Sequence, residues 1–200
     1  ITARYGLGPA AIQLGVAAIN QLNVVDVANK HLEAVLEATG ASVSLSIWGN
    51  RGPTIIFRLD GRLPVPMSVR IGFVLPLLST ATGRIFMTYL PEREWRAIAE
   101  AEEAVVPGRL ARVLKKVEAS RNDGIALTDS ETHEGFFGVS APVFSSDNTL
   151  CATVTALGLS AHVDLRPTGP VTVAIRQAAR RISRDLGATR DQPALELAAD

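Results

Sequence analysis

The segment Ser42–Trp48 reads Ser-Val-Ser-Leu-Ser-Ile-Trp, and this alternation constrains the fold more than any other stretch. Strand side chains point to opposite faces in turn, so Val43, Leu45 and Ile47 share one face and Ser42, Ser44 and Ser46 the other. A helix would scatter both sets around its circumference. The pattern is that of a half-buried strand. Gly49-Asn50-Arg51-Gly52-Pro53 follows as a turn, and Thr54–Leu59 is the return strand. A chain with this hairpin needs further elements to cover its apolar face.

Helical periodicity flanks the hairpin. Ile12, Val16 and Ile19 recur at helical spacing behind Pro9, which predicts a helix from Pro9 to about Leu22. A second helix is expected from Asp26, as N-cap, to Gly40, with Leu32, Val35 and Leu36 as its apolar stripe. Pro64 and Pro66 confine any strand in Leu63–Ile71 to a late start or a sheet edge. The run Pro76–Gly83 leads into a helix ending near Leu90. Two more helices are read at Pro91 to about Glu102 and at Arg109–Arg121. Gly124–Thr128, Phe137–Phe144 and Leu150–Leu159 read as strands, the last two joined by the turn Ser145-Ser146-Asp147-Asn148. His162–Pro170 is a loop, and Val171–Leu186 is the last helix, with Gly187 past its end. This order is an α+β plan, an antiparallel sheet with helices packed on its faces.

The 200 residues suit one domain with a short appendage, and 47% hydrophobic content argues against disorder throughout. Lys plus Arg and Asp plus Glu both total 20, so the formal net charge is zero. A surface that grips nucleic-acid phosphates carries excess positive charge, so this segment does not read as one. Cys151 has no second cysteine to pair with, which suits a reducing cytoplasm. No apolar run approaches the ~20 residues of a membrane helix, and the N-terminus does not read as a signal peptide. The chain opens on Ile1-Thr2-Ala3 without a methionine, so further sequence is expected upstream.

Motifs for catalysis are few. His31, His133 and His162 are scattered, and no His or Cys pair has zinc-ligand spacing. There is no nucleophile elbow, phosphate-binding loop or dinucleotide fingerprint. His133-Glu134 is read as a solvated turn rather than an acid–base pair, and Cys151 as a buried thiol within a strand. Arg176, Arg180, Arg181 and Arg184 on the last helix are read as a solvated face opposite Val171, Ile175, Ala178, Ile182 and Leu186, in preference to a phosphate-binding stripe. Pro76–Gly83 is more suggestive. It is rich in small and hydroxyl residues and runs straight into a helix, where unpaired N–H groups and the macrodipole attract anions. Ser79, Thr80 and Thr82 are also natural caps there.

Several blocks together resemble the IclR family of bacterial transcriptional regulators. They are Tyr5-Gly6-Leu7-Gly8-Pro9 with Leu14-Gly15, the hairpin above, and Pro76-Leu77-Leu78-Ser79-Thr80-Ala81-Thr82-Gly83-Arg84. Gly124-Ile125-Ala126-Leu127-Thr128-Asp129-Ser130-Glu131 with Gly135, then Val139-Ser140-Ala141-Pro142-Val143-Phe144, and the closing Leu186-Gly187 complete the set. The resemblance covers nearly the whole chain through order and spacing.

It implies a GAF-like effector-binding domain over residues 23–187, a linker helix over 1–22 and a C-terminal tail over 188–200. The linker would lead to a winged helix-turn-helix upstream and act as the lever between sensor and DNA. Implied partners are a small-molecule effector, promoter DNA through that upstream domain, and further copies in a homodimer or homotetramer. No cofactor, metal or membrane is implied, and no enzymatic activity. A ligand-free dimerisation module and an enzyme on a related scaffold are the alternatives.

Carried over position by position, the resemblance puts the ligand pocket at Met67, Ala81, Thr82, Thr128, Phe136, Gly138, Thr155 and Leu157. Strand parity supports part of this, since Thr155 and Leu157 share a face, as do Phe136 and Gly138. Three positions depart from the family pattern: Thr128 replaces an acidic residue, with Asp129 adjacent, Gly138 a polar one and Leu157 a serine. The pocket is therefore expected to be roomier and more apolar than one for a two-carbon acid, suiting a larger acid such as an aromatic one. Its carboxylate would meet the amides near Ala81 and Thr82.

Overall fold

A computed structural model describes residues 8–10, 13–14, 24–62 and 70–189 of the chain, apart from the side chain of His162. Most of the expected Pro9–Leu22 helix, Met67 and nearly all of the expected tail lie outside the described residues.

The first fully described element is α1, Val24–Thr39. It starts before Asp26, so Asp26 lies in the first turn rather than at the N-cap, where its charge still faces the positive end of the helix dipole. Gly40 ends it in the left-handed conformation that favours glycine, at φ 68°. Strands β1, Ser42–Gly49, and β2, Gly52–Leu59, form the hairpin, with only Asn50 and Arg51 between them. Helices α2, Ala81–Tyr89, α3, Glu92–Val105, and α4, Arg109–Asp123, make the middle block. Strands β3, Ala126–Asp129, β4, Phe136–Phe144, and β5, Leu150–Leu159, follow, and α5, Pro170–Asp185, closes the domain.

The five strands among the described residues join one antiparallel sheet in the order β2-β1-β5-β4-β3. β2 is an edge strand, which is why Pro53 is tolerated within it. Residues 72–75 run along that edge: Ile55 N–H donates to Phe73 O at 3.0 Å and Leu75 N–H to Pro53 O at 2.7 Å. These bonds cover part of the edge.

The two sheet faces differ in chemistry. One carries Val43, Leu45, Val139, Ala141, Val143, Ala152, Val154 and Ala156, all buried in one core with α1 and α5. Leu32 and Val35 reach it from α1, and Ile175 and Ile182 from α5. Each such side chain contributes about 1.5–3 kcal/mol through burial. The other face carries Ser42, Ser46, Ser140, Thr153 and Thr155, which are also buried. The expectation of a half-buried strand is therefore corrected, because α2 lies over the serine face.

From Ala81 to Thr88 every residue of α2 is buried. The helix is sandwiched between the sheet and α4, so it has no solvent face to show a simple amphipathic stripe. Leu77, Leu78, Met87, Trp95, Ala99, Val113 and Val117 form a second core among these helices. The expected solvated arginine face of α5 holds for Arg181 and Arg184, which are exposed, but not for Arg176, which is buried. Burial pulls its guanidinium below the ordinary arginine value, and Arg180 adds to this while Asp123 opposes it. No helix among the described residues is long and apolar enough to cross a membrane.

Gly83 sets the position of α2. A Cβ there would lie 2.2 Å from Leu77 O and 2.7 Å from Leu77 C, both backbone atoms that cannot swing aside. We expect Gly83→Ala to cost about 3 kcal/mol, at the upper end of overpacking effects. Urea denaturation would show this, and a midpoint equal to that of the parent would refute the close approach.

Candidate functional site

Two cross-sheet rows form the floor of a cavity beneath α2. Thr128, Gly138, Leu157 and Ser42 are successive partners across β3, β4, β5 and β1, as are Ala126, Ser140, Thr155 and Ser44 in the next row. The first turn of α2 is the roof. The cavity measures about 50 Å³, and its lining includes Ala81, Thr82, Thr128, Phe136, Gly138, Thr155 and Leu157. The fold thus brings together all the expected pocket residues except Met67, which lies outside the described residues.

Other lining residues escaped the sequence reading as pocket members: Ser44, Ile55, Leu75, Thr80, Thr132, His133 and Phe137. Ser44 had a usable signal, since the strand alternation put it on the serine face. Ile55, Leu75 and Thr132 had none, because only the edge bonding and the β3–β4 loop bring them there.

The roof is held from several sides. Both carboxylate oxygens of Glu102 accept backbone amides, from Leu77 at 2.7 Å and Leu78 at 2.8 Å. Thr80 is the N-cap: its hydroxyl accepts from Gly83 N–H at 2.9 Å and donates to Pro76 O at 2.6 Å. Intrahelical bonding begins with Arg84 N–H to Thr80 O. The amides of Ala81 and Thr82 precede it and are the helix's remaining orphan donors.

Proton counting shows which groups are free to meet a ligand. Thr155 donates to Ser140 Oγ at 2.9 Å, and Thr82 Oγ1 is 2.8 Å from Thr155 Oγ1. A hydroxyl has one proton, so Thr82 must donate to Thr155. Thr128 donates to Gly138 O at 3.3 Å and Thr132 to Ser79 O. The threonine hydroxyls are thus spent on the protein. The Ser44 hydroxyl has no hydrogen bond among the described residues, and no lysine or arginine is among the described lining residues. Donors for an anion are therefore the two helix amides, Ser44 and His133.

The pocket is tighter than expected. A Cβ at Gly138 would meet Thr128 Oγ1 at 2.8 Å, so the threonine hydroxyl already fills the space that glycine vacates. At about 50 Å³ the cavity is roughly a third of the ~150 Å³ that accepts benzene. Its wall is nonetheless largely apolar, with Ile55, Leu75, Phe136, Phe137 and Leu157.

An ion-pair cluster braces the far side. Arg84, 4% exposed, donates to Leu127 O at 2.6 Å and to Glu131 at 3.0 Å, and Lys116 reaches the other Glu131 oxygen at 2.8 Å. Burial pulls the Arg84 guanidinium down, and Glu131 partly restores it.

Among the described residues, groups suited to catalysis do not converge. His31 bonds Asp185 at 2.8 Å, far from His133 at the cavity, and Glu134 is exposed. Among the described residues no group of three or more His, Cys, Asp or Glu side chains could hold a metal. Burial pushes the Cys151 thiol up to about 11, and its Sγ donates to Val143 O at 3.4 Å.

Two measurements follow. Glu131→Gln leaves a buried guanidinium without its counter-charge and should cost about 2 kcal/mol, below the ~3–5 of a fully buried pair because Glu131 still touches water. Arg84→Met combined with Glu131→Gln should cost less than the two single changes added together; strict additivity in denaturant titrations would remove the pair from the account. Alkylation of Cys151 by iodoacetamide at pH 8 should run roughly a hundredfold slower than that of a free thiol, accelerating about tenfold per pH unit. A rate equal to glutathione's would contradict the burial.

Residues 16–184 match the family model described as bacterial transcriptional regulator IclR C-terminal. The chain is 26% identical over 189 residues to the HTH-type transcriptional regulator XynR of Escherichia coli K12, a match spanning 92% of this chain and 75% of that protein. The crystal structure of Pseudomonas aeruginosa HmgR superimposes with a TM-score of 0.78 at 29% identity, over 94% of this chain and 76% of that one. Thermotoga maritima IclR superimposes with a TM-score of 0.75 at 25% identity, over 92% and 76%. The family model and XynR are both regulators of transcription. With its model match, its relatives and its α+β fold in agreement, the chain belongs to the IclR family, as the C-terminal domain of a bacterial transcriptional regulator.

Proposed function

We propose that this domain is the sensor of its regulator, and that the cavity under α2 binds a compact organic acid. The observation that carries this reading is the meeting of two orphan helix amides with an otherwise apolar, hydroxyl-rimmed cavity. A carboxylate at Ala81 and Thr82 would gain charge-assisted bonds and the positive end of the helix dipole. Ser44 would supply a further donor, and Leu75, Phe136 and Leu157 would exclude water. The small volume favours a compact acid over an aromatic one, whose ring would need Leu157 or Phe136 to move.

Occupancy would act by population shift. The domain would assemble as a homodimer or homotetramer, carry promoter-binding winged helices upstream, and stabilise one quaternary arrangement when filled. The shift is bounded by the ligand's differential affinity for the two arrangements. A ligand-free assembly module is the second reading, and the small cavity volume is the observation that favours it.

Thermal denaturation with pyruvate, glyoxylate and benzoate separates these readings. A ligand near 100 times its dissociation constant adds roughly 2.7 kcal/mol, which raises the melting point of a chain this size by about 5–10 °C. We expect that rise with a two- or three-carbon keto acid and its loss in Leu157→Phe, which narrows the cavity. A larger rise with benzoate would overturn the size argument and keep the sensor. No rise with any acid would favour the assembly module.

A further inference from the structure

A second opening lies on the other side of the Leu78–Ser79 segment. It is an open cleft of about 410 Å³, backed by Leu78 and Val113 and walled by Arg109, Arg112, Lys115 and Lys116 of α4, with Glu131 at one side. Ser79 contributes to this cleft and its neighbour Thr80 to the cavity, so one strip of backbone divides a neutral site from a basic one.

The positive charge here is only partly compensated, four cations facing the carboxylates of Glu131 and Glu103. These four cations fall within two turns of one helix, at spacings that bring like charges side by side. Lys116 shares Glu131 with the buried Arg84. Glu103 approaches Arg112, but its two oxygens are committed to the amides of Gly108 and Leu110. Arg112 donates its Nε to Gly108 O at 3.0 Å, and its terminal nitrogens have no hydrogen bond among the described residues. Arg109 and Lys115 have no ion pair among the described residues. Arg84 Nε, buried behind Glu131, also lacks a hydrogen-bond partner there. Because Glu103 already caps α4, the helix end adds little, and the side-chain cations define the site.

We propose that this cleft binds a small, multiply charged anion, a phosphorylated or polycarboxylate metabolite, separately from the cavity under α2. From Arg109 to Lys116 is about 10 Å along the helix axis, more than a single carboxylate spans. Two or three anionic groups on one carbon skeleton match that spread, with Leu78 and Val113 behind the skeleton. The volume lies in the ~300–1,000 Å³ range of small-ligand pockets. A duplex would call for an extended basic stripe and a net positive chain, whereas this chain is neutral overall.

Calorimetric titration of the folded chain with pyrophosphate, citrate and a short DNA duplex tests this. We expect saturable one-to-one binding of pyrophosphate or citrate that weakens as salt rises. The tighter of the two identifies the source as phosphoryl or carboxylate. Arg112→Gln with Lys115→Gln should weaken binding about tenfold or more through loss of two charge-assisted contacts. Both residues are exposed, so the melting point should hold, and Lys115→Glu gives an independent single-site check. Leu157→Phe should leave the affinity unchanged, which separates this site from the cavity. Saturation by neither small anion, equal affinity in the charge variants, or tighter binding of the duplex would overturn the proposal.

Discussion

Burial of a hydroxyl-rich sheet face under a helix is the constraint on which the rest of this domain depends. Buried hydroxyls are costly unless they find partners. Thr82, Thr155 and Ser140 meet that demand among themselves in a chain running from α2 across β5 to β4. The hydroxyls of Ser46 and Thr153, cross-strand neighbours, have no hydrogen-bond partner among the described residues. Such a face persists only if α2 is held at one height and angle. Gly83 against Leu77, the Glu102 carboxylate on two amides and the Thr80 cap together set that height.

The same arrangement explains why the largely apolar cavity carries its polar groups without a charged side chain. Threonine protons are consumed within the protein, so what remains toward the interior is backbone N–H at a helix start, the Ser44 hydroxyl, His133 and lone pairs. Such a site selects anions by dipole and geometry rather than by counter-charge. The cations of this region lie beyond the wall, on α4 and in the Arg84–Glu131–Lys116 cluster. Neutral cavity and basic cleft thus share the segment around Ser79 while offering ligands different electrostatics.

Element order and boundaries followed closely from periodicity and punctuation. Leu150–Leu159 matches its expected limits, and the Gly40 and Gly187 helix stops both adopt positive φ. The differences come from packing. Asp26 moved from cap to first turn because α1 begins earlier, at the buried Val24. Arg176 went inside although its neighbours Arg181 and Arg184 stayed in water, since helix position alone does not reveal what a neighbouring element covers. Gly138 suggested extra room, but its strand partner Thr128 had already taken it.

From its residues alone the chain was bound to an α+β sheet protein. Alternation and helical spacing are local properties, and the strand parity of Thr155 with Leu157 and of Phe136 with Gly138 follows from the pleat. Whether the serine face met water or a helix was settled only when α2 docked, because burial is a property of two surfaces together. Cavity size was likewise set by side chains distant in sequence, Ile55, Leu75 and Thr132 among them. The cleft needed tertiary structure too. Its four cations stand within eight residues of α4, but a row of charges becomes a binding concavity only when Leu78, Ser79 and Glu131 close its other walls.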